Sequence, residues 1–285
     1  MPIHAPTLLF KSAFGPGVYL KKPYADVDAE TWWQELVGQD DSGFAWPVTI
    51  WGKRGLFQMI TGRQNRLSDY IENRLEIVPD PSGRPTRVLH QIIKQKDFVW
   101  TQDPYSIYTD GYEGGDLYLR YKLKFPKNLA RLLTEGGAEG WLAFCEWKTT
   151  SDYRLAFYVY FNHTHPAPYW FVHGDNVVGD YGEYREFWFE ENKTLPVPED
   201  EWFTVEIFWH RSAGADGRVW WAVDGHVIVD RRGPNKIQDP INLLMLFTTY
   251  AGATHFEQWV DAIEIWDGFP CGDGRPCYQN RSSKR

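Results

Sequence analysis

Apolar and polar residues alternate with a period of two over residues 116–125 (DLYLRYKLKF), the pattern of a strand with one buried face. The same period recurs in short runs through the second half of the chain. Residues 141–149 and 153–162 flank Thr150-Ser151-Asp152 and predict a hairpin. Residues 202–211 and 218–223 predict a second hairpin across the polar stretch 212–217, and 226–231 returns from an Asp224-Gly225 turn. Runs 241–250 and 258–266 end the series. In the first half, 73–78 and 86–94 are separated by Pro79-Asp80-Pro81-Ser82-Gly83-Arg84-Pro85, a strong turn signal, and 44–51 and 56–60 add two further strands. Residues 29–37 (AETWWQELV) read instead as a short helix, with Asp28 as its cap. Many short strands with turn signals between them predict an all-β sandwich or jelly roll with few helices. No repeat, low-complexity stretch or linker divides the 285 residues. A single domain over 1–285 is therefore expected, with an N-terminal segment, 1–70, packed on the jelly roll.

Composition adds a ligand class to this picture. Aromatic residues make up 17% of the chain, with 15 Trp, 16 Tyr and 17 Phe. Most of these rings are expected to fill a wide core, but flat apolar faces beside polar handles also suit the C–H face and hydroxyl edge of a sugar. The formal net charge of −8 argues against nucleic acid as a partner. No apolar run approaches the roughly 18 residues of a membrane span. Residues 1–10 lack the basic start and apolar centre of a signal peptide. An exported protein, extracellular or periplasmic, is expected all the same, with a cytoplasmic location as the alternative. Cys145 sits in an apolar strand pattern and reads as a buried thiol, whereas Cys271 and Cys277 flank a Gly/Pro loop that a disulfide could close. Three Asn-X-Ser/Thr triplets, at Asn162, Asn192 and Asn280, carry little weight by themselves. There is no phosphate-binding glycine loop, nucleophile elbow, HExxH helix or CxxC pair. No cofactor is expected; a structural calcium ion would need six to eight oxygens, and no motif supplies them.

The order of motifs in the C-terminal half, WFTVEIFWH, a hairpin, WWAVDGHVIVDRRG, then INLLMLFTTYAG and VDAIEIWDGFP, resembles the concanavalin A-like jelly rolls of polysaccharide lyases, of the heparin lyase I or alginate lyase type, and of related lectin and glucanase domains. The resemblance spans residues 86–270 and implies two packed antiparallel sheets with a concave binding face. Binding and catalytic members share these features, so they speak to fold more than to activity. Lyase members carry an arginine-containing strand, a Gln-x-His strand and a late strand ending in tyrosine. By that resemblance Arg87 and Gln91 (TRVLHQ) hold the uronate, Glu146-Trp147-Lys148 (FCEWKT) stands in place of Gln-x-His, and Tyr250 (LFTTYAG) protonates the leaving oxygen. Lys148 is then the candidate base. Glu146 replaces a neutral amide, and an ionised carboxylate there would repel a uronate.

The alternation itself nominates neighbours. Phe144, Glu146 and Lys148 share one face of their strand, and Arg154, Tyr158 and Tyr160 share a face of the returning strand. Together they would form a polar, aromatic floor for a saccharide. The stretch 169–189 (YWFVHGDNVVGDYGEYREFWF) reads as a long aromatic loop in which Trp170 and His173 contact substrate. Trp33 is a further stacking candidate. Two alternatives stand beside the lyase: a glycoside hydrolase of neutral glucan or xylan pairing Glu146 with Glu206, and a non-catalytic carbohydrate-binding domain. In each case the expected partner is a polysaccharide or oligosaccharide.

Overall fold

Two antiparallel sheets pack face to face, and most of their strands fall where the two-residue alternation places them. The computed structural model describes residues 5–27, 30–62, 66–96, 101–114, 116–135, 140–150, 153–162, 164–175, 177–178, 184–185, 188–235, 240–271 and 277. One sheet has eight strands. It runs His226–Arg232, Arg218–Val223, Trp202–His210, Asp116–Lys124, Phe256–Trp266, Pro85–Ile93, Ile71–Pro79, with Leu8–Ser12 also paired to Phe256–Trp266. The other has eleven. It runs Trp188–Asn192, Tyr169–Asp175, Arg154–Tyr160, Trp141–Thr149, Ile241–Thr248, Pro104–Tyr112, Lys53–Ile60, Thr31–Gln34, Tyr24–Ala25, with Tyr250–Ala251 beside Trp141–Thr149 and Thr49–Ile50 beside Lys53–Ile60. The chain crosses between them repeatedly: Pro85–Ile93 lies in the first sheet, Pro104–Tyr112 in the second, and Asp116–Lys124 is back in the first. This is an all-β jelly roll with one shared core. The described helices, Leu67–Tyr70 and Leu129–Thr134, are short, and none is long and apolar enough to cross a membrane.

Aromatic rings fill the space between the sheets. Trp147, Trp170, Trp209 and Trp221 are fully buried. Trp147 of one sheet stacks on Trp209 of the other at 5.8 Å, and Trp170 meets Trp221 edge-on at 5.3 Å. Burying such a ring contributes roughly 4–6 kcal/mol of transfer free energy. The high aromatic content is therefore largely a core property.

Three expectations need correction. Residues 29–37 do not form a helix: Thr31–Gln34 pairs with Lys53–Ile60, and Leu36–Gln39 pairs with Val18–Leu20. Trp32 and Trp33 point to opposite faces, one towards the core and the other opposite Gln58. A waiting sheet edge and two rings suited to a pleated surface outweigh a weak helical pattern. Asp28 and Ala29 lie outside the described residues. The stretch 169–189 is not all loop, because Tyr169–Asp175 pairs in register with Arg154–Tyr160 and Trp188–Asn192 pairs with it in turn. Asp180 and Tyr181 lie outside the described residues. Finally, Phe144 does not share a face with Glu146. A bulge between Ala143 and Cys145 turns both Phe144 and Cys145 into the core.

The outer faces of the two sheets differ. The C-terminal segment lies over the eight-stranded sheet, where Phe269 packs edge-on against Phe208 and Trp220 at 5.0 and 4.9 Å. The disulfide Cys271–Cys277 closes that segment, and the Cys277 N–H donates to Glu206 at 2.6 Å. Cys145 is a buried free thiol. The eleven-stranded sheet turns an outer face bearing Ala143, Ala156, Tyr158 and Tyr250 away from the core.

Candidate active site

A pocket of about 300 Å³ opens on that face, lined by Trp141, Arg154, Tyr158, Tyr160, Phe171, His173 and Tyr250. Its size is at the low end for small-molecule sites. Strand register builds it. In Arg154–Tyr160, Leu155, Phe157 and Val159 enter the core, so Arg154, Ala156, Tyr158 and Tyr160 face outward. Across the next pairing, Tyr158 is opposite Phe171, Ala156 opposite His173, and Arg154 opposite Asp175. On the other side Tyr158 is opposite Ala143, which is itself opposite Tyr250. The bulge at Phe144 restores the outward face for Trp141 and Ala143 while Glu146 and Lys148 remain outward. Without that extra residue Trp141 and Glu146 would point to opposite sides of the sheet.

Arg154 is held by two hydrogen bonds to Asp175, Nε to Oδ1 at 2.6 Å and Nη2 to Oδ2 at 2.8 Å. Burial is the largest influence and works against its charge, but these bonds together with the nearby Glu146 and Asp175 charges outweigh it and raise the guanidinium pKa further above its usual range. Two of five N–H groups are used in this way, which leaves the others for a ligand. His173 Nε2 lies 3.4 Å from Asp175 Oδ2, and its ring meets Tyr158 edge-on at 5.1 Å. Burial, and next the Glu146 carboxylate, push the Tyr158 hydroxyl well above the ordinary range, so it stays protonated. Tyr250 stands edge-on to Trp141 at 4.8 Å and lines the pocket.

Beside the pocket, Glu146 is 1% exposed. Its Oε1 lies 3.4 Å from Lys148 Nζ, while Oε2 has no hydrogen-bond partner among the described residues. Lys148 thus sits as the counter-charge of Glu146 and offsets part of the repulsion a carboxylate would impose on an anionic sugar.

Several nominated residues lie elsewhere. Arg87 and Gln91 belong to the eight-stranded sheet. Arg87 Nη1 donates to the backbone carbonyls of Phe14, Gly15 and Val18 at 3.3, 2.7 and 2.7 Å. Gln91 is fully buried and donates to the Asp103 carbonyl at 2.7 Å. Both point inward, away from the open face. Trp170 is fully buried because its parity is opposite to that of Phe171 and His173. Glu206 faces outward on the covered sheet and accepts from the Tyr118 hydroxyl at 2.7 Å. Glu146 and Glu206 point away from each other on sheets that stack roughly 10 Å apart. They cannot flank one glycosidic bond at the ~5–10 Å a hydrolase requires. Trp33 does face outward, 6.5 Å from Tyr108, but several strands from the pocket.

Trp141 and Phe171 were not nominated. The signal for Phe171 was its parity with His173. The signal for Trp141 was hidden by the bulge.

No family model matches the chain, and no curated protein sequence matches it. Among solved structures the chain is similar to a double mutant of the alginate lyase Aly36B in complex with an alginate trisaccharide, with TM-score 0.44 and 12% identity over 62% of this chain and 80% of that one. It is also similar to an endo-β-1,4-glucuronan lyase from the fungus Trichoderma reesei, with TM-score 0.48 and 9% identity over 74% and 94%. The binding domain of botulinum neurotoxin DC, in complex with rat synaptotagmin II, is similar at TM-score 0.40 and 11% identity over 74% of this chain and 45% of that chain. Polysaccharide lyases and a binding domain both stand among the similar folds.

Proposed function

We propose that the pocket carries out β-elimination on a uronate-containing polysaccharide. The observation that carries this reading is the lining itself. Arg154 is the permanently charged side chain among the described lining residues, set within tyrosines, a histidine and a tryptophan. A cation among sugar-sized aromatic faces fits an anionic sugar better than a neutral one. Arg154 binds the uronate carboxylate and lowers the cost of forming negative charge at C5. His173, beside Asp175, accepts the C5 proton. Tyr250 gives its proton to the O4 leaving oxygen as the C4–O bond breaks, leaving a C4=C5 double bond. Lys148 keeps its role as a cation beside Glu146 and passes that of base to His173. Arg87 and Gln91 have no part in this scheme.

Incubation with uronate polymers, following ultraviolet absorbance and reducing ends together, tests the reading. Both signals should rise, and Tyr250→Phe should lower the rate by about 10²–10⁴-fold with the fold intact. Reducing ends without absorbance would replace elimination by hydrolysis. Silence in both channels, with polymer still retained, would leave a binding domain.

The disulfide Cys271–Cys277 supports an exported location, because such bonds persist in oxidising compartments. Alkylation of the denatured native protein should then modify Cys145 alone.

A further inference from the structure

A second pocket, of about 310 Å³, adjoins the first, and Tyr160 and Phe171 line both. Asn162, Tyr169, Phe189 and Glu191 complete it. It lies one strand further out: Phe189 is paired opposite His173 and Glu191 opposite Phe171, so both open onto the same face as the first pocket. Phe189 is 52% exposed, and its ring lies nearly parallel to that of Phe171 at 6.0 Å. Adjacent strands are spaced about 4.7–4.9 Å apart, close to one pyranose repeat. A glycan lying across the strands therefore brings consecutive sugars to consecutive pockets.

The two pockets differ in the charged group that each lining presents. Arg154 lines the first, and Glu191 lines the second. Lys193 pairs with Glu191 and lies over the Tyr169 ring at 4.6 Å, outside the lining. Burial, then Glu191, push the Tyr169 hydroxyl up to about 12, so it remains a neutral hydroxyl. The second pocket thus offers an aromatic face, hydroxyl and amide groups and a carboxylate, with no cation in its lining among the described residues. A sugar carboxylate there would meet Glu191 in the lining, and Lys193, outside the lining and 41% exposed, offsets only part of that charge, whereas sugar hydroxyls would find an acceptor in Glu191.

We infer that this second pocket binds an uncharged sugar next to the uronate. The preferred substrate is then a mixed polymer in which uronates alternate with neutral sugars, not a pure polyuronate. This rests on the β-elimination reading of the first pocket for the identity of the neighbouring unit.

The test uses the Tyr250→Phe protein and calorimetry with two saturated oligosaccharides of equal length, one a pure oligouronate and one alternating uronate with neutral sugar. The alternating ligand should bind at least about 5-fold more tightly. Phe189→Ala should weaken it by about 2–10-fold, the range of an aromatic contact. Glu191→Gln should narrow the preference, and Glu191→Lys should reverse it in favour of the oligouronate. Equal or tighter binding of the pure oligouronate overturns the inference, as does a preference unmoved by Glu191→Lys, or no binding of either. The unsubstituted protein is assayed for absorbance on both polymers in parallel. A rise with either one keeps elimination standing whatever the calorimetry says. No rise with either, together with a preference that Phe189 and Glu191 control, overturns elimination and leaves the neutral subsite.

Discussion

Arg154 and Asp175 are directly opposite on neighbouring strands, so the side chain that would meet a uronate is set by its pairing partner. Asp175 Oδ2 also lies 3.4 Å from His173 Nε2, so one carboxylate borders two groups of the pocket. Asp175→Asn removes the charge that balances a largely buried guanidinium. The expected loss is about 1–3 kcal/mol in urea unfolding, less than for a fully buried pair because both side chains keep some solvent contact. Activity should fall with it, as Arg154 loses a fixed orientation. An unchanged unfolding midpoint would remove Asp175 from this role. At this scale the sequence was informative about the local cluster. Arg154, Tyr158, Tyr160 and His173 sit in two adjacent strands, and parity alone puts them together. Tyr250 joins them through a third pairing. It was uninformative about Arg87, Gln91 and Glu206, whose parities are equally regular. Which sheet a strand joins depends on long-range pairing, and no local pattern encodes that.

The strands carry the geometry, and two departures from ideal strand structure decide it. The bulge at Phe144 adds one residue and so changes which side chains face outward, which parity counting cannot see. Gly174 allows a close approach: a Cβ there would lie 2.3 Å from the Tyr153 hydroxyl and 2.5 Å from Trp188 Nε1, two groups that are hydrogen-bonded to each other at 3.2 Å. Gly174→Ala should cost about 1–3 kcal/mol by overpacking and loosen the pairing of Tyr169–Asp175 with Trp188–Asn192. Because Phe189 sits on that edge strand, the variant should bind glycan more weakly even though no contact residue has changed. Calorimetry alongside a urea titration separates the effects, and a variant with native stability and affinity would show that the edge tolerates the methyl group. Most strands of the second half were legible, since alternation and turn residues are local signals. Within the segments read as helix and loop, 29–37 and 169–189, Thr31–Gln34, Leu36–Gln39 and Tyr169–Asp175 are strands because open sheet edges met them. An edge supplied from elsewhere in the chain leaves no trace in a short window.

The sandwich as a whole also has a polar layer between its sheets. Asn73, Gln91 and Gln258 stand in register across three strands of the eight-stranded sheet, and Gln258 donates to Gln91 at 2.9 Å. From the other sheet Gln34 accepts from Asn73 at 3.1 Å, and Asp103 accepts from Asn73 at 3.3 Å. Here Gln91 has its place, as a tie between sheets. Asn73 Oδ1 and Gln258 Oε1 have no hydrogen-bond partner among the described residues. Burial raises the Asp103 carboxyl from 3.8 to about 7, against the opposing pull of hydrogen bonds from Asn73 and Gln91. Folding therefore takes up a proton in this window. The resulting stabilisation is complete below 3.8, declines as pH rises through the window and is lost above about 7. Its full size is about 4 kcal/mol. Asp103→Asn keeps the shape without an ionisable group and supplies an N–H donor beside Asn73, whose Oδ1 has no partner among the described residues. Relative to the unsubstituted protein it should be more stable at pH 8, and the two should converge or cross towards pH 5. Urea midpoints at both pH values decide the matter. If the difference between the two proteins were the same at pH 5 and pH 8, Asp103 would not be titrating between the sheets, and the polar layer would contribute to stability without any dependence on pH.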